Sequence, residues 1–268
     1  FFGVPLFIAS CPLRVQSALV TQGHFRMVYQ PPASSSFVPL AAFDPRSVPI
    51  VGVDAHLPPI AADALSPAAL RERFLTPPVW QPEVLSEKKF ADRQPARAAV
   101  LVPIVLRGSH PHDLTVLLTE RTAQLSTHSG QIAFPGGKVD PGDADATAAA
   151  LREAHEEVGL EADWVQVLGS LPTYITGTSF WVTPVVALVQ PGFTLRPNPD
   201  EVADTFEVPL HFLMNPANHQ RHRMMRDGVQ REWFSMPYRA AEAQALPERY
   251  IWGATAGMLR NFYRFLAA

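Results

Sequence analysis

Strand-like runs of apolar residues fill the second part of the chain. The first two, residues 99–106 and 114–119, flank the polar turn 108–113, as neighbouring strands do. Further runs of this kind lie at residues 165–171, 182–189, 229–236 and Arg249–Trp252. Residues 145–158 and 254–266 instead space their apolar positions as helices do. Strands that outnumber helices, with helices flanking them, predict an α/β layered domain.

The N-terminal part differs in composition, because about half of the 27 prolines lie there. Residues of this kind neither propagate a helix nor bury much apolar area, so we expect residues 1–61 to be a disordered or artefactual extension. A Ser-Pro pair suits the first positions of a short helix at residues 66–74. We therefore expect residues 62–97 to form an N-terminal arm that packs on a main domain at residues 98–268.

Composition and charge narrow the classes of function. The formal net charge of −3 argues against a general nucleic-acid binder, but it does not exclude an anionic small substrate. The single cysteine, Cys11, excludes an internal disulfide framework and a Cys-rich zinc site. After the first residues, no stretch has the ~18 uninterrupted apolar residues that a membrane span needs. A cytoplasmic location without a membrane partner is the simplest interpretation.

Three carboxylates share one face of the predicted helix at residues 145–158. Glu153, Glu156 and Glu157 stand at positions i, i+3 and i+4, where like charges repel each other. A divalent cation that prefers oxygen ligands removes this conflict. The alternative is a solvated acidic face with Arg152 as a local counter-charge. Glycines just before the helix, in the sequence Phe-Pro-Gly-Gly at residues 134–137, favour a site, because they let the backbone approach a phosphate closely.

This region resembles the signature of the Nudix hydrolases. The second half of that signature reads Arg-Glu-aliphatic-any-Glu-Glu-any-Gly-aliphatic, and residues 152–160 match it if Ala154 counts as the aliphatic residue. The first half departs from it, because Asp143 stands in place of Glu and one extra residue separates it from Arg152. The resemblance implies a Nudix α/β/α sandwich with a mixed β-sheet, preceded here by the Pro-rich arm. It also implies hydrolysis of a diphosphate with Mg²⁺ or Mn²⁺.

A second resemblance points to the Nudix enzymes that act on coenzyme A and its derivatives. Their upstream pattern is kept in spacing from Leu117-Leu118-Thr119 to the Phe-Pro-Gly-Gly sequence, but Thr122 replaces Ser or Ala and Ser126 replaces an Arg. The resemblance implies that Arg121, Gly136 and Gly137 bind a coenzyme A-like nucleotide. The implied products are 3′-phosphoadenosine 5′-phosphate and 4′-phosphopantetheine or its acyl form.

The family resemblance also implies roles for the carboxylates. Glu153 and Glu157 are the expected principal metal ligands. Glu156 is expected to bind a second metal ion or to deprotonate water, and the choice between Glu156 and Glu153 as the base stays open. Glu201 is the candidate for a further carboxylate from outside the signature, with Asp200 and Glu207 as competitors and an exposed loop acid as the alternative. Arg152 is expected to orient a carboxylate through a bidentate ion pair.

For several further candidate residues, a functional role competes with a simpler structural explanation. The basic segment 219–226 could receive the 3′-phosphate of coenzyme A, although a solvated basic loop is the simpler interpretation. Tyr174, Phe180 and Trp181 could stack on adenine, with core packing as the alternative. Ser126 in place of Arg leaves ADP-ribose, NADH or a nucleoside triphosphate as rival substrates. A non-hydrolytic nucleotide-sensing domain, a more remote Nudix-fold isomerase and a homodimeric state also stay open.

Overall fold

A computed structural model describes residues 43–89, 94–108, 110, 113–123, 130–226, 228–240 and 247–268. Its strands are β1 Ile50–Val53, β2 Ala96–Leu106, β3 Leu114–Arg121, β4 Ile132–Ala133, β5 Gly136–Lys138, β6 Val165–Ser170, β7 Tyr174–Ile175, β8 Phe180–Val189, β9 Val202–Pro209, β10 Gln220–Arg226, β11 Val229–Tyr238 and β12 Arg249–Trp252. Its α-helices are α1 Pro67–Leu75, α2 Ala146–Val158, α3 Leu210–Leu213 and α4 Gly253–Ala267. The strands and helices predicted for the second part of the chain are confirmed, with closely similar bounds.

A mixed sheet of eight strands forms the centre of the fold. Its longest strand, β2, pairs in parallel with β8 and antiparallel with β3 and β5. Strand β9 extends the sheet beyond β3, and β6 pairs antiparallel with β8. Strand β2 is buried on both faces over most of its length, which agrees with its unbroken apolar run.

The two faces of this sheet carry separate apolar cores. On one face, Ala149, Ala150 and Ala154 of α2 pack against Ala99 and Leu101 of β2. Alanines at these positions let the helix axis approach the sheet closely, which keeps the carboxyl-bearing face of α2 next to strand β5. On the other face, α4 contributes to a larger core that it shares with the central strands. A mixed sheet between helices confirms the predicted α/β/α sandwich.

The remaining strands form a four-stranded antiparallel sheet in the order β1-β10-β11-β12. Strand β10 covers most of the segment 219–226, so the interpretation of this segment as a solvated loop is wrong. The reason is that His219 and His222 are buried and Arg221 forms an ion pair with Asp54. The sequence of this segment alone suggests side chains exposed to solvent. In the structure, residues far away in the sequence bind several of them.

The expectation of a disordered extension over residues 1–61 is wrong for residues 43–61. Strand β1 pairs with β10, and Asp54 is buried where it accepts hydrogen bonds from Arg221. Leu57 and Ile60 pack against the larger core. Residues 1–42 lie outside the described residues.

The predicted short helix of the N-terminal arm is confirmed as α1. The Ser66 hydroxyl accepts a hydrogen bond from the Ala69 N–H at 3.2 Å and caps the helix. Phe74 at the end of α1 lies 4.8 Å from the ring of Phe265 in α4, measured between ring centroids. Leu70 is fully buried. The arm thus packs on the C-terminal helix, and β2 begins at Ala96, slightly before the expected boundary at residue 98.

None of the helices in the described ranges is long and apolar enough to cross a membrane.

Candidate active site

An open pocket of about 420 Å³ lies where α2, the glycine loop at β5, the end of β3 and the start of β9 meet. It is lined by Ala98, Val100, Arg121, Gly136, Gly137, Lys138, Asp140, Glu153, Glu157, Phe180 and Glu201. Six of these eleven residues are charged, while Ala98, Val100 and Phe180 form an apolar wall.

Helix α2 presents its carboxylates to this pocket because both of its ends are fixed. Asp145 caps the N-terminus by accepting a hydrogen bond from the Ala148 N–H at 2.8 Å. Gly159 ends the helix in the left-handed conformation, with φ 68° and ψ 23°, as the sequence predicts. Glu153 and Glu157 lie one turn apart on the same face, and both line the pocket.

Glu157 is the most buried of the helix carboxylates, with a side chain that is 4% exposed. Its Oε2 accepts a hydrogen bond from the Gly136 N–H at 3.1 Å, and its Oε1 lies 3.5 Å from a guanidinium nitrogen of Arg121. Burial raises the pKa of Glu157 to about 7, and the neighbouring Glu201 and Glu153 add to this rise. The Gly136 N–H and Arg121 oppose it.

Glu153 faces the pocket next to the glycine loop. A side chain at Gly137 would place its Cβ 2.4 Å from Glu153 Oε2, so only glycine leaves room for this carboxylate. Burial raises the pKa of Glu153, while Arg152 opposes the rise and the nearby Glu156 and Glu201 add to it. The carboxylates of this site thus destabilise each other's charged forms.

Arg152 binds the carboxylates that surround it. Its guanidinium donates two hydrogen bonds to Asp143, at 3.0 and 2.9 Å, which confirms the expected bidentate pair. The hydrogen bond from Arg152 lowers the pKa of Asp143. Arg152 also lies 3.1 Å from Glu153 and donates to Glu156 at 3.0 Å. Glu156 is 56% exposed and does not line the pocket, so the structure separates it from Glu153 and Glu157.

Glu201 reaches the pocket from the turn that precedes β9. Its backbone carbonyl accepts a hydrogen bond from the Thr122 N–H at 3.0 Å, and the Thr122 hydroxyl donates to the carbonyl of Asp200. The end of β3 therefore holds this turn. Of the two competitors, Asp200 is exposed and does not line the pocket. Glu207 is bound by Arg107 and Thr115 away from the pocket.

The carboxylates of the site are chemically suited to bind a hard divalent cation. Their buried oxygens repel each other and accept few hydrogen bonds, and a cation would offset both effects. In the described part of the chain, no three carboxylate, His or Cys groups already stand close enough together to hold a metal ion. Glu153 and Glu156 are turned toward Arg152, so rotation of these side chains would be needed. Of the carboxylates singled out from the sequence, Glu153, Glu157 and Glu201 line the pocket.

The three aromatic candidates occupy different environments in the structure. Tyr174 is buried and donates a hydrogen bond to Glu87, so its core assignment is correct. Phe180 lines the pocket and also packs against the larger core, whereas Trp181 beside it is 43% exposed, so core packing is wrong for Trp181. Ser126 lies outside the described residues.

Two charged residues of the pocket, Lys138 and Asp140, were missed by the sequence analysis. Lys138 directly follows the glycine pair at the end of β5, and Asp140 comes two residues later, so their spacing of two was the available signal that both could point to the same side.

Comparison with known proteins gives consistent results. The NUDIX domain family matches residues 95–228. The uncharacterized Nudix hydrolase NudL of Yersinia pestis (strain Pestoides F) is 37% identical over 182 residues, which cover 68% of this chain and 85% of that protein. NudL of Yersinia pseudotuberculosis serotype O:1b (strain IP 31758) gives the same values, 37% over 182 residues. Among solved structures, the Nudix hydrolase RenU from M. Smegmatis has 29% identity and a TM-score of 0.34, covering 44% of this chain and 71% of that chain.

Proposed function

Because this chain belongs to the Nudix family, we propose that it hydrolyses the diphosphate bond of coenzyme A or an acyl-CoA with the help of a divalent cation. At the level of the family, the chain is a Nudix pyrophosphohydrolase that acts on nucleoside diphosphate derivatives. The observation that carries the proposal is the convergence of Glu153, Glu157 and Glu201 with Arg121 on one pocket.

Glu153 and Glu157 are the proposed principal ligands of Mg²⁺ or Mn²⁺, with Glu156 as a ligand to a second ion once it leaves Arg152. When bound, such a cation neutralises charge on the phosphoryl oxygens in the transition state. Gly136 and Gly137 let the diphosphate approach the backbone, because neither has a side chain. Arg121 lies 3.5 Å from Glu157, and we propose that its guanidinium binds a phosphoryl oxygen.

Glu201 is the proposed acceptor of the proton from the attacking water. Its carboxylate lines the pocket and forms no hydrogen bond or ion pair with any residue in the described ranges, so it is available. The water oxygen forms a bond to phosphorus while the bond from phosphorus to the bridging oxygen breaks, and the carboxylate takes the proton. Two phosphate monoesters result. The sequence also offered Glu156 or Glu153 as the base; Glu156 is less favoured because it lies outside the pocket.

Coenzyme A is supported as the substrate by two observations. The upstream sequence pattern keeps its spacing from Leu117 to the glycine pair, and Arg121 of this pattern lies in the pocket. The apolar wall of Ala98, Val100 and Phe180 suits a non-reacting part of the substrate, such as a base or a pantetheine arm. The proposed products are 3′-phosphoadenosine 5′-phosphate and 4′-phosphopantetheine or its acyl form.

A second candidate keeps the reaction and changes the substrate to ADP-ribose, NADH or a nucleoside triphosphate. Ser126 favours it, because this position has lost the cation of the coenzyme A pattern. A non-hydrolytic nucleotide sensor is less favoured, because a binding module has no need for three acidic residues in catalytic register.

The test is hydrolysis by the purified protein with Mg²⁺ or Mn²⁺, followed by mass spectrometry, on coenzyme A, ADP-ribose, NADH and dGTP in parallel. We expect coenzyme A to be cleaved fastest, with the 3′,5′-bisphosphate as product, and the Glu157→Gln variant to be inactive on all of them. Faster cleavage of another substrate would reject the coenzyme A assignment and keep the hydrolase. Absence of turnover with every substrate would favour the sensor.

A further inference from the structure

We propose that Glu87 of the N-terminal arm is a positioning residue that fixes the apolar wall of the pocket by clamping the turn between β7 and β8. This inference rests on the proposed function only in that the wall holds a non-reacting part of the nucleotide substrate. The arm lies outside the residues matched by the family profile, which begins at residue 95. Substrate affinity would therefore depend in part on a segment that the signature does not include.

Glu87 holds the turn with both carboxylate oxygens and with its backbone. Its Oε1 accepts a hydrogen bond from the Tyr174 hydroxyl at 2.9 Å, and its Oε2 accepts one from the Gly177 N–H at 2.8 Å. The Glu87 N–H donates to the carbonyl of Ile175, and the Ile175 N–H donates to the carbonyl of Leu85. The arm thus adds a short stretch of parallel pairing to β7.

The arm itself is fixed on both sides of this contact. The side-chain amide of Asn261 in α4 accepts from the Val84 N–H at 3.0 Å and donates to the Val84 carbonyl at 2.7 Å. Arg260 of α4 donates to Glu83 at 2.7 Å, and Arg231 of β11 donates to the carbonyl of Lys88 at 2.7 Å. Glu87 is therefore held by three neighbouring residues of its own segment, and it is a rigid point for the turn.

The turn connects this clamp to the pocket through Phe180. The Thr176 N–H donates to the Phe180 carbonyl at 2.9 Å, and the Thr176 hydroxyl accepts from the Phe180 N–H at 3.0 Å. The carbonyl of Ser179 accepts from the Ala96 N–H at 3.1 Å, which places the start of β8 beside β2. Gly177 lies in the middle of this turn. Loss of its hydrogen bond to Glu87 would therefore loosen the segment that fixes the backbone of Phe180.

Ser179 shows that the turn needs to be held. It is the only described residue other than glycine with positive φ, at 67°, a conformation that side chains other than Gly, Asn and Asp adopt rarely. It is also 2% exposed, and its hydroxyl has no hydrogen-bond partner among the described residues. Surrounding contacts must impose such a conformation. To this turn the arm contributes the Glu87 carboxylate, which accepts the hydrogen bond from the Gly177 N–H.

The expected consequence is a change in binding rather than in chemistry. Phe180 belongs to the apolar wall, whereas the carboxylates belong to α2 and to the turn before β9. A wall that moves weakens the binding of the ground state and the transition state alike, so KM rises while kcat stays nearly constant. A defect in general folding would instead reduce the active fraction, and with it the apparent kcat.

The experiment compares the full-length wild type with Glu87→Gln and with Glu72→Gln as a matched control from the same arm. Gln keeps the size of the side chain but has only one oxygen to accept the two hydrogen bonds, and its NH₂ group faces a donor. With coenzyme A as substrate, we expect the KM of Glu87→Gln to rise about 5- to 20-fold with kcat within about twofold. Tyr174→Phe removes one of the two bonds and should give a smaller rise in KM. The Glu72 carboxylate accepts from the Thr76 hydroxyl on the exposed side of α1, away from the turn, so its variant should match the wild type.

Amide hydrogen exchange over residues 174–180 provides a readout that does not need turnover. Glu87→Gln should speed exchange in this segment by about tenfold or more, with exchange in α2 unchanged. Ser179→Gly relieves the strained backbone conformation at this position, so in the Glu87→Gln background it should return KM toward the wild-type value.

If the wild-type protein cleaves another diphosphate instead of coenzyme A, KM is measured with that substrate. If it cleaves none, the dissociation constant of ADP, measured by calorimetry, replaces KM. Equal KM or dissociation constants in Glu87→Gln and wild type would overturn the inference, as would unchanged exchange.

Discussion

The buried carboxylate of Glu157 accepts a hydrogen bond from the backbone N–H of Gly136 at 3.1 Å, which joins the acidic helix to the glycine loop. The same carboxylate lies 3.5 Å from Arg121 at the end of β3. Three segments that are distant in sequence thus meet at one side chain. Because burial raises the pKa of Glu157 to about 7, its negative charge costs stability unless a cation accompanies it.

Replacing Glu157 with Gln should reduce activity without reducing stability. Gln keeps the shape but cannot carry the negative charge that a divalent cation requires, so we expect kcat to fall by roughly a thousandfold or more. In the presence of a chelator above pH 8, the variant should unfold at the same temperature as wild type or higher, because a buried charge has been removed. Steady-state kinetics and calorimetry measure the two effects. Activity close to that of wild type would reject the metal assignment.

Glu201→Gln tests the proposed acceptor of the proton. Because Gln cannot accept a proton from water, kcat should fall by about 10²- to 10⁴-fold. Binding of Mn²⁺, followed by electron paramagnetic resonance, should be weakened much less than in Glu157→Gln. The neighbouring exposed acid provides the control: Asp200→Asn changes the same turn but not the pocket, and its kcat should stay within about twofold of wild type. Equal losses in both variants would indicate a distorted turn instead of a lost base.

Asp143 orients Arg152, and through it the carboxylates on α2. Asp143→Asn loses one of the two charge-assisted hydrogen bonds to Arg152, which then competes more strongly for Glu153 and Glu156. We expect the affinity for Mn²⁺ to fall by about 10- to 100-fold, as for other residues that orient metal ligands. Asp163→Asn, an exposed acid in the turn before β6, is the control. An unchanged Mn²⁺ affinity in Asp143→Asn would show that Arg152 is held by its other contacts.

The stability of the protein should depend on pH through His219. Burial lowers the pKa of His219 to about 4, and Arg260, which donates to its Nδ1 at 3.1 Å, adds to this. In the unfolded chain this group has a pKa of about 6.5, so the unfolded state binds more protons between these two values. The contribution of His219 to the free energy of unfolding is therefore present above pH 6.5 and is lost as pH decreases toward 4, whereas Glu157, whose pKa burial raises to about 7, contributes with the opposite sign over this window.

The free energy of unfolding of wild type relative to that of His219→Gln should therefore fall by about 2–3 kcal/mol between pH 7 and pH 4.5 in urea titrations, because the contribution of Glu157 is common to both proteins and cancels. Comparison stops at pH 4.5 because Asp54 and Glu83, whose pKa values are lowered in the folded state, lose their own contributions below that point. His219→Gln lacks this imidazole, so its stability should not show the loss that His219 causes as pH falls over this window. Profiles with the same slope in both proteins would exclude His219 as the cause.

The part of the site that could be predicted from sequence is the part encoded locally. Glu153 and Glu157 share a helix face because their spacing alone places them there, and Gly159 ends the helix as expected. The position of Arg121 follows from the fixed spacing of the coenzyme A pattern up to the glycine pair. The location of Glu201 in the pocket was anticipated only as one of several acids, because the turn that carries it is positioned by Thr122 and not by its own sequence.

The remainder depends on contacts between residues far apart in the chain. The pairing of β1 with β10 and the ion pair of Asp54 with Arg221 join segments that a local pattern cannot relate. For this reason the first strand was missed and the basic strand β10 was interpreted as a loop. The contact between Glu87 and Gly177 is of the same kind: nothing near Glu87 in the sequence indicates the turn that it binds.

A substitution at Gly137 tests whether Glu153 needs the space that the missing side chain of this glycine provides. In Gly137→Ala the new Cβ would lie 2.4 Å from Glu153 Oε2, so the carboxylate must move away while the backbone can stay in place. Because the displaced group is the end of a flexible side chain, we expect little change in the melting temperature but a fall in kcat of about 10- to 100-fold. Gly142 belongs to the same connection, and a Cβ added there would meet no atom within 4 Å, so Gly142→Ala is the matched control. If both alanine variants keep wild-type kcat, Glu153 does not need its present position, and its role as a principal metal ligand would be rejected.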